Sequence, residues 1–194
     1  MSAPPPESVA TGIGAAAAEA AARPLWGEVD LAAITHNVAH IRKRAGRPVR
    51  LLVPVKANAY GHGVEAVGRH LERLGVEGVA TANVDEAVAL RRAGVALRIL
   101  MYGSQLPEGA AYLFAHGLTP TVYDRPGLAA VAGAATGGPV AVHVKVDGGF
   151  GRLGVRLDEA ADLVRAVAAE PRMHLEGLYT HVPFDDAMPP CTEL

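Results

Sequence analysis

The sequence lacks several features that would place it in a specialised class. Its single cysteine, Cys191, excludes an internal disulfide, which fits a reducing compartment. The formal net charge is −2, so no basic excess points to nucleic acid or to an anionic membrane surface. No apolar stretch is long enough to span a bilayer. The 194 residues are 50% hydrophobic and 20% charged, which predicts an ordinary soluble globular protein with one sizeable core.

The N-terminal segment also lacks the marks of a secretory signal. Such a signal has a basic region followed by an apolar core, and residues 1–23, MSAPPPESVATGIGAAAAEAAAR, have neither. The segment offers little bulky apolar surface that could dock onto a fold. We therefore predict a disordered Ala/Pro-rich tail over residues 1–23, one folded region over residues 24–194, and a cytoplasmic location.

The folded region is predicted to open with a short strand, WGEVDL (26–31), and a helix over residues 31–45. Asp30 is the expected N-cap, because its carboxylate can accept N–H groups of the first turn. Gly46 and Pro48 follow the helix and are typical of its end. Residues at helical spacing give the helix one apolar face: Leu31, Ile34, Val38 and Ile41.

The rest of the chain alternates between strand and helix patterns. Strands are predicted at 51–55, 78–82, 98–103, 119–123, 140–146 and 175–181, and helices at 64–75, 84–94, 107–116, 125–133 and 158–169. Such units predict parallel strands with helices outside, as either a doubly wound sheet or a (β/α)8 barrel. Both folds place their chemistry at the C-terminal strand ends. Those ends carry Lys56, Tyr102, the residues from Asp147 to Arg152, and His181.

Lys56 directly follows the apolar run LLVPV. A lysine at a desolvated strand end would have a lowered pKa and a neutral amine, which imine formation with an aldehyde requires. Tyr60 follows in a turn flanked by glycine and could reach a phosphate or a substrate group. The alternative is a surface lysine at a strand end, with its charged group in water. The chain has only three lysines, and Lys56 and Lys145 both lie at predicted strand ends.

Two later segments could contribute polar groups to the same region. In HVKVDGGFGRLG (143–154), His143, Lys145 and Asp147 share one strand face, and Arg152 follows in a glycine-rich loop. This loop has neither the P-loop pattern nor the dinucleotide fingerprint. In GLYTHVPFDD (177–186), His181 ends the sixth strand. The alternatives are a plain loop with a paired arginine, a structural histidine, and packing for Tyr102.

Together these segments resemble alanine racemase, whose N-terminal domain is a fold-type III pyridoxal 5′-phosphate (PLP) barrel. The run PVKANAYGHG (54–63) is similar to the family's lysine signature, and ATANVDEAVALRRAG (80–94) is similar to its EA-x-x-LR-x-x-G stretch. KVDGGFGRLG (145–154) resembles its K-x-DTGMGRLG, and GLYTH (177–181) its G-x-x-TH. The resemblance covers about residues 25–182, in the right order, and implies a TIM-type barrel.

The resemblance also implies roles for individual residues. Lys56 would carry PLP as a Schiff base and act as one of two racemisation bases. Tyr60 would hydrogen-bond the PLP phosphate, and Arg152 would contact the PLP phenolic oxygen and the substrate carboxylate. Lys145 stands where family members often carry a carbamylated lysine that orients this arginine. His181 would lie near the pyridine ring, and no metal is implied.

The chain departs from the family pattern in two respects. Gly148 and Phe150 replace the family's Thr and Met, and Val182-Pro183 replaces its F-A, so substrate identity is less constrained than cofactor identity. We also expect an incomplete barrel of about six strands without the C-terminal β-domain. In the family that domain supplies the second base, a tyrosine that crosses the homodimer. We therefore expect interconversion of L- and D-alanine, for cell-wall D-alanine, only in a full-length form.

Two alternatives remain at this stage. The chain could be a non-catalytic single-domain PLP-binding protein of the cofactor-homeostasis kind, although its KANAYGHG context differs from those proteins. It could also be a metal-dependent barrel hydrolase that uses His143, His181 and Asp147 as ligands.

Overall fold

The computed structural model describes residues 27–46, 48–103 and 109–182. The tail predicted over residues 1–23 lies outside the described residues, as does Trp26. The chain divides into two units, Met1–Asp30 and Leu31–Leu194. In the first unit, residues 27–30 are exposed and form no strand, so the strand prediction is wrong there. A strand needs a hydrogen-bonded neighbour, and the described sheet pairings all join strands of the second unit.

The second unit alternates helices and strands in the predicted order. The helices are α1 (Leu31–Ala45), α2 (Val64–Arg73), α3 (Val84–Arg92), α4 (Ala110–Ala115), α5 (Arg125–Ala134) and α6 (Leu157–Ala169). The strands are β1 (Leu52–Pro54), β2 (Gly78–Thr81), β3 (Arg98–Met101), β4 (Thr119–Val122), β5 (Val140–Asp147), β6 (Val155–Arg156) and β7 (Met173–Thr180). The short strand β6 and a left-handed turn at Lys56–Tyr60 are the two elements that the sequence pattern did not predict.

Local sequence explains where the helices begin and end. The Asn83 side chain accepts a hydrogen bond from Asp85 N at 2.8 Å before α3, and Asp124 does the same for Gly127 N at 2.6 Å before α5. The glycines that follow α1, α2 and α3 have φ values that only glycine adopts readily: Gly46 at 74°, Gly75 at 65° and Gly94 at 82°. The capping role of Asp30 stays a prediction.

All strand pairings in the sheet are parallel, in the order β1-β2-β3-β4-β5-β7, and β6 pairs with the end of β5. The sheet is strongly curved. Arg98 at the start of β3 lies 2.6 Å (Nη2–Oε1) from Glu176 of β7, although β4 and β5 separate these strands. In a flat sheet the two strands would be about 14 Å apart. The curvature confirms an incomplete barrel rather than a doubly wound sheet.

The buried hydrophobic residues form two clusters between the sheet and its helices, one over residues 38–118 and one over residues 122–173, rather than the single core predicted from the sequence. Val142, Val144 and Val146 of β5 are buried there, so the alternate residues of that strand face the concave side of the sheet. In α1, Val38 is buried as predicted but Ile41 is 51% exposed. At that end α1 is held instead by Arg42, which donates to the carbonyls of Leu74 and Gly75. None of the helices in the described ranges is long and apolar enough to cross a membrane.

Candidate cofactor site

The residues singled out by the sequence come together at one edge of the barrel. Lys56 follows β1, Tyr102 follows β3, Asp147 ends β5 and His181 follows β7. The carboxyl ends of parallel strands meet at the same edge, so the four side chains share one region. This placement is consistent with the prediction that the site lies at the C-terminal strand ends.

The segment Lys56–Tyr60 is a left-handed helical turn. Ala57, Asn58, Ala59 and Tyr60 have φ between 53° and 55°, a region that non-glycine residues rarely adopt. Each such residue costs roughly 1–2 kcal/mol, so the turn persists only because surrounding contacts hold it. The turn places Lys56 Nζ 5.8 Å from the centre of the Tyr60 ring. It thereby brings an amine and a phenol to the same side.

The structure places the two site lysines in different environments. Lys56 is exposed, so the desolvation predicted for it is wrong in this structure. Lys145 is the buried lysine, with 5% of its surface exposed, because it points from β5 into the barrel. Burial, together with the charge of Arg152, lowers the pKa of Lys145, while Asp147 opposes that shift. An apolar run before a residue therefore did not predict its burial; the curvature of the sheet decided it.

The loop after β5 is organised by the Asp147 carboxylate. Its oxygens accept hydrogen bonds from Gly149 N at 3.1 Å and from Gly151 N at 3.1 and 3.0 Å. The loop then places the Arg152 guanidinium 4.6 Å from the centre of the Phe150 ring. Phe150 also meets the His181 ring edge to face at 4.5 Å. Within the described ranges no carboxylate pairs with Arg152.

Positive groups from the turn after β1, from β5 and from the loop after β5 converge near His181. The pKa of His181 is lowered by burial and by the charges of Arg152, Lys145 and Lys56. Each of those cations disfavours a further positive charge on the imidazole. A site with three such cations favours an anionic ligand that carries a phosphate, a phenolate or a carboxylate.

Tyr102 is a site residue that the sequence interpretation assigned to packing. Its pKa is raised to about 12, chiefly by burial and to a smaller extent by Tyr60, Glu86 and Tyr179, while Arg152 opposes the shift. The phenol therefore lies within electrostatic range of the turn and of the arginine. Its position at the end of β3 had placed it among the strand-end candidates, but no chemistry had been assigned to it.

Glu86 is a second residue that the sequence interpretation did not single out. Its carboxylate accepts hydrogen bonds from Asn58 N at 2.7 Å and from the Thr81 hydroxyl at 2.6 Å. It had been noted only as part of the EA-x-x-LR stretch. The signal that could have found it is an acidic residue in the first turn of a helix that starts at the site edge.

The metal-ligand arrangement considered above does not form. His143 Nε2 lies 3.3 Å from Glu176 Oε2; the register of the β5–β7 pairing shifts between Val142 and His143, which leaves Glu176 without an opposite residue in β5. Burial lowers the pKa of His143, and Glu176 opposes this. Over the residues that the structure describes, no group of three His, Cys, Asp or Glu could hold a metal ion. The alternative of His143, Asp147 and His181 as ligands is therefore wrong.

These observations define a class: an incomplete parallel α/β barrel with a lysine after its first strand and a group of cationic side chains at its C-terminal edge. The chain matches a family model described as "Alanine racemase, N-terminal domain" over residues 29–193. It therefore belongs to the alanine racemase N-terminal domain family. The family named from the sequence motifs is confirmed.

Individual relatives agree with this assignment. An alanine racemase of Desulfovibrio desulfuricans is 39% identical over 168 residues, which are 85% of this chain and 45% of the relative. The solved alanine racemase of Clostridium difficile 630 is 29% identical with a TM-score of 0.78, over 82% of this chain and 45% of that one. The E. faecalis alanine racemase is 34% identical with a TM-score of 0.74, over 80% and 43%. This chain thus spans less than half the length of these relatives.

Proposed function

We propose that this chain is the PLP-binding barrel portion of an amino-acid racemase that interconverts L- and D-alanine in its full-length form. The observation that carries the proposal is the convergence of Lys56, Lys145, Arg152 and His181 at the strand ends, within a chain of the alanine racemase family. The site fits PLP because Lys56 and Arg152 present positive charge to a ligand whose phosphate and phenolic oxygen are anionic.

Each residue would act on a different part of the ligand. Lys56 would hold PLP through its aldehyde and would remove or return the α-proton of the amino acid on one face. Tyr60 would donate a hydrogen bond to the phosphate, since the turn presents both side chains together. When bound, PLP would supply an electron sink for the α-carbon.

The second group of residues would orient the reactants. Arg152, stacked on Phe150, would bind the substrate carboxylate and the phenolic oxygen of PLP. Lys145 would orient this arginine, and its lowered pKa favours the neutral amine that carbamylation requires. His181 would lie beside the pyridine ring, where its lowered pKa keeps it neutral and able to accept a hydrogen bond.

Racemisation needs bases on both faces of the α-carbon, and Lys56 is one of them. We propose that the second base comes from the remainder of a full-length protein, which would act as a homodimer on a small amino acid. The 194-residue chain alone is therefore expected to show weak or no racemase activity.

The decisive test is an absorbance titration of the chain with PLP. The unsubstituted chain should develop the long-wavelength band of lysine-bound PLP, and Lys56→Ala should abolish it. Lys43→Ala is the matched control, because Lys43 is also exposed but lies in α1. A band that survives in Lys56→Ala refutes the assignment.

A second measurement addresses the reaction itself. L-Alanine is incubated with the PLP-loaded chain, and D-alanine is followed by chiral chromatography. Rapid conversion by the 194-residue chain alone would contradict the expectation that the second base lies elsewhere.

A further inference from the structure

The left-handed turn at Lys56–Tyr60 is tied to the rest of the barrel mainly through Asn58. The Asn58 carbonyl accepts from Gly63 N at 2.9 Å, and its side-chain oxygen accepts from Val64 N at 2.8 Å, where α2 begins. The remaining backbone group of Asn58 is its N–H. It donates to Glu86 Oε1 at 2.7 Å. Glu86 is thus the contact that holds the turn from the side of α3.

The position of Glu86 in α3 makes this contact unexpected. Asn83 is the N-cap, so Glu86 is the third helical residue, where an acidic side chain ordinarily folds back to the N–H of the cap residue. In this chain the Thr81 hydroxyl takes that role, since Asn83 N donates to it at 3.3 Å. Glu86 is therefore available to reach across to the turn.

Thr81 anchors the other oxygen of the carboxylate. Its side chain is fully buried at the end of β2, and its hydroxyl donates to Glu86 Oε2 at 2.6 Å. One oxygen of Glu86 is thereby fixed to the barrel, and the other holds a backbone N–H of a strained turn. Both hydrogen bonds involve a charged acceptor, which makes them stronger than bonds between neutral groups.

We infer that Glu86 is a positioning residue. Its carboxylate clamps the left-handed turn to the end of β2, so that the Lys56 and Tyr60 side chains can contact the same ligand. The inference deepens the proposed function and rests on it for the identity of that ligand. The clamp itself is a property of the chain without any ligand.

The clamp is measured first in the PLP-free chain, by hydrogen exchange of the Asn58 amide. Glu86→Ala should speed this exchange by about 10-fold, since a hydrogen bond to a charged acceptor is lost. Glu86→Gln should stay within about 3-fold of the unsubstituted chain, because its amide oxygen can accept from Asn58 and its amide N–H can donate to Thr81. Unchanged exchange in Glu86→Ala, or equal acceleration in Glu86→Gln, overturns the inference.

The positioning role is measured by comparing PLP with pyridoxal, which has the aldehyde but no phosphate. If the turn aligns Lys56 with Tyr60, Glu86→Ala should weaken PLP binding by about 10-fold and pyridoxal binding far less. A general structural defect would weaken both equally, and that result overturns the inference. Glu65→Ala is the matched control, an acidic residue in the first turn of α2 whose ion-pair partner is Arg69.

The two proposals can fail separately. If the unsubstituted chain binds neither aldehyde, the proposed function fails, while the Asn58 exchange still decides whether Glu86 clamps the turn. If Glu86→Ala does not fold, Glu86→Asp serves instead: it keeps the charge but is one methylene too short to reach both partners. Exchange at Asn58 in Glu86→Asp should exceed that in Glu86→Gln, and the reverse order overturns the inference.

Discussion

The turn after β1 and the loop after β5 both leave the ordinary backbone regions, and the chain stabilises them by different means. The turn uses four non-glycine residues in the left-handed region and is held from outside by Glu86. The loop uses glycines, with Gly149 at φ 103° and Gly151 at 71°, and is held from within by Asp147. A turn held from outside depends on its neighbours, whereas a loop held from within depends on its own residues. Substitutions in the two should therefore have opposite effects.

The largest effect is expected at Gly154, which ends the loop. A Cβ there would lie 2.5 Å from Asp147 N, and its φ of 147° suits only glycine. Gly154→Ala should lower the free energy of unfolding by about 2–4 kcal/mol in urea titrations of the PLP-free chain. Gly133→Ala, in α5 with open space around the site, should instead raise it by about 0.5 kcal/mol. Equal midpoints for the two variants would contradict the model of the loop.

The next largest effect is expected from Asp147→Ala. This substitution removes the acceptor for Gly149 N and Gly151 N and should lower the free energy of unfolding by about 1–3 kcal/mol. It should also weaken PLP binding, because Arg152 lies on the same loop. Asp162→Ala, which removes an exposed ion pair with Arg165, should leave both quantities unchanged. Unchanged PLP affinity in Asp147→Ala would contradict the prediction that this loop positions Arg152 for PLP binding.

A smaller effect of opposite sign is expected in the turn. Ala57→Gly relieves a residue at φ 53°, and the gain exceeds the added freedom of the unfolded chain, so stability should rise by about 0.5 kcal/mol. The matched control is Ala129→Gly on the exposed face of α5, which should lower stability by about 1 kcal/mol. Urea titrations measure both. If both glycines destabilise the protein alike, the turn is not strained.

The smallest effect concerns charge rather than stability. Desolvation and, after it, the positive charges of Arg152, Lys145 and Lys56 hold the pKa of His181 below its usual range, so neutralising any of these charges should raise it. We expect a larger rise in Arg152→Gln than in Lys56→Met, as read by NMR titration of the His181 ring in the PLP-free chain. The opposite order would mean that the turn, not the loop, contributes most of the positive potential at this ring.

Much of the barrel could be predicted from the sequence, because its elements follow local rules. Helix α1 covers the predicted residues 31–45, and β1, β2 and β4 lie within their predicted ranges. Apolar periodicity, N-cap side chains and glycine ends are all short-range signals. The strand expected at residues 26–31 was wrong over 27–30, because a strand needs a partner that no local pattern supplies.

The candidate site was predicted in part. Lys56, Arg152 and His181 lie at the strand ends where the motifs placed them, and the structure brings their charges together. Glu86 was missed as a site residue, and Tyr102 was noted at a strand end but given no role beyond packing. Their roles depend on contacts with residues that are distant in the sequence, and the neighbouring residues in the chain do not predict those contacts.

The sequence by itself determined the order of strands and helices, the family, and the lysine that opens the site. Only the tertiary structure decided which lysine is buried and which carboxylate holds the turn at Lys56. The physical reason is distance along the chain. Capping and periodicity act over a few residues, whereas the contact between Asn58 and Glu86 spans 28 residues and exists only after β1 and β2 have paired.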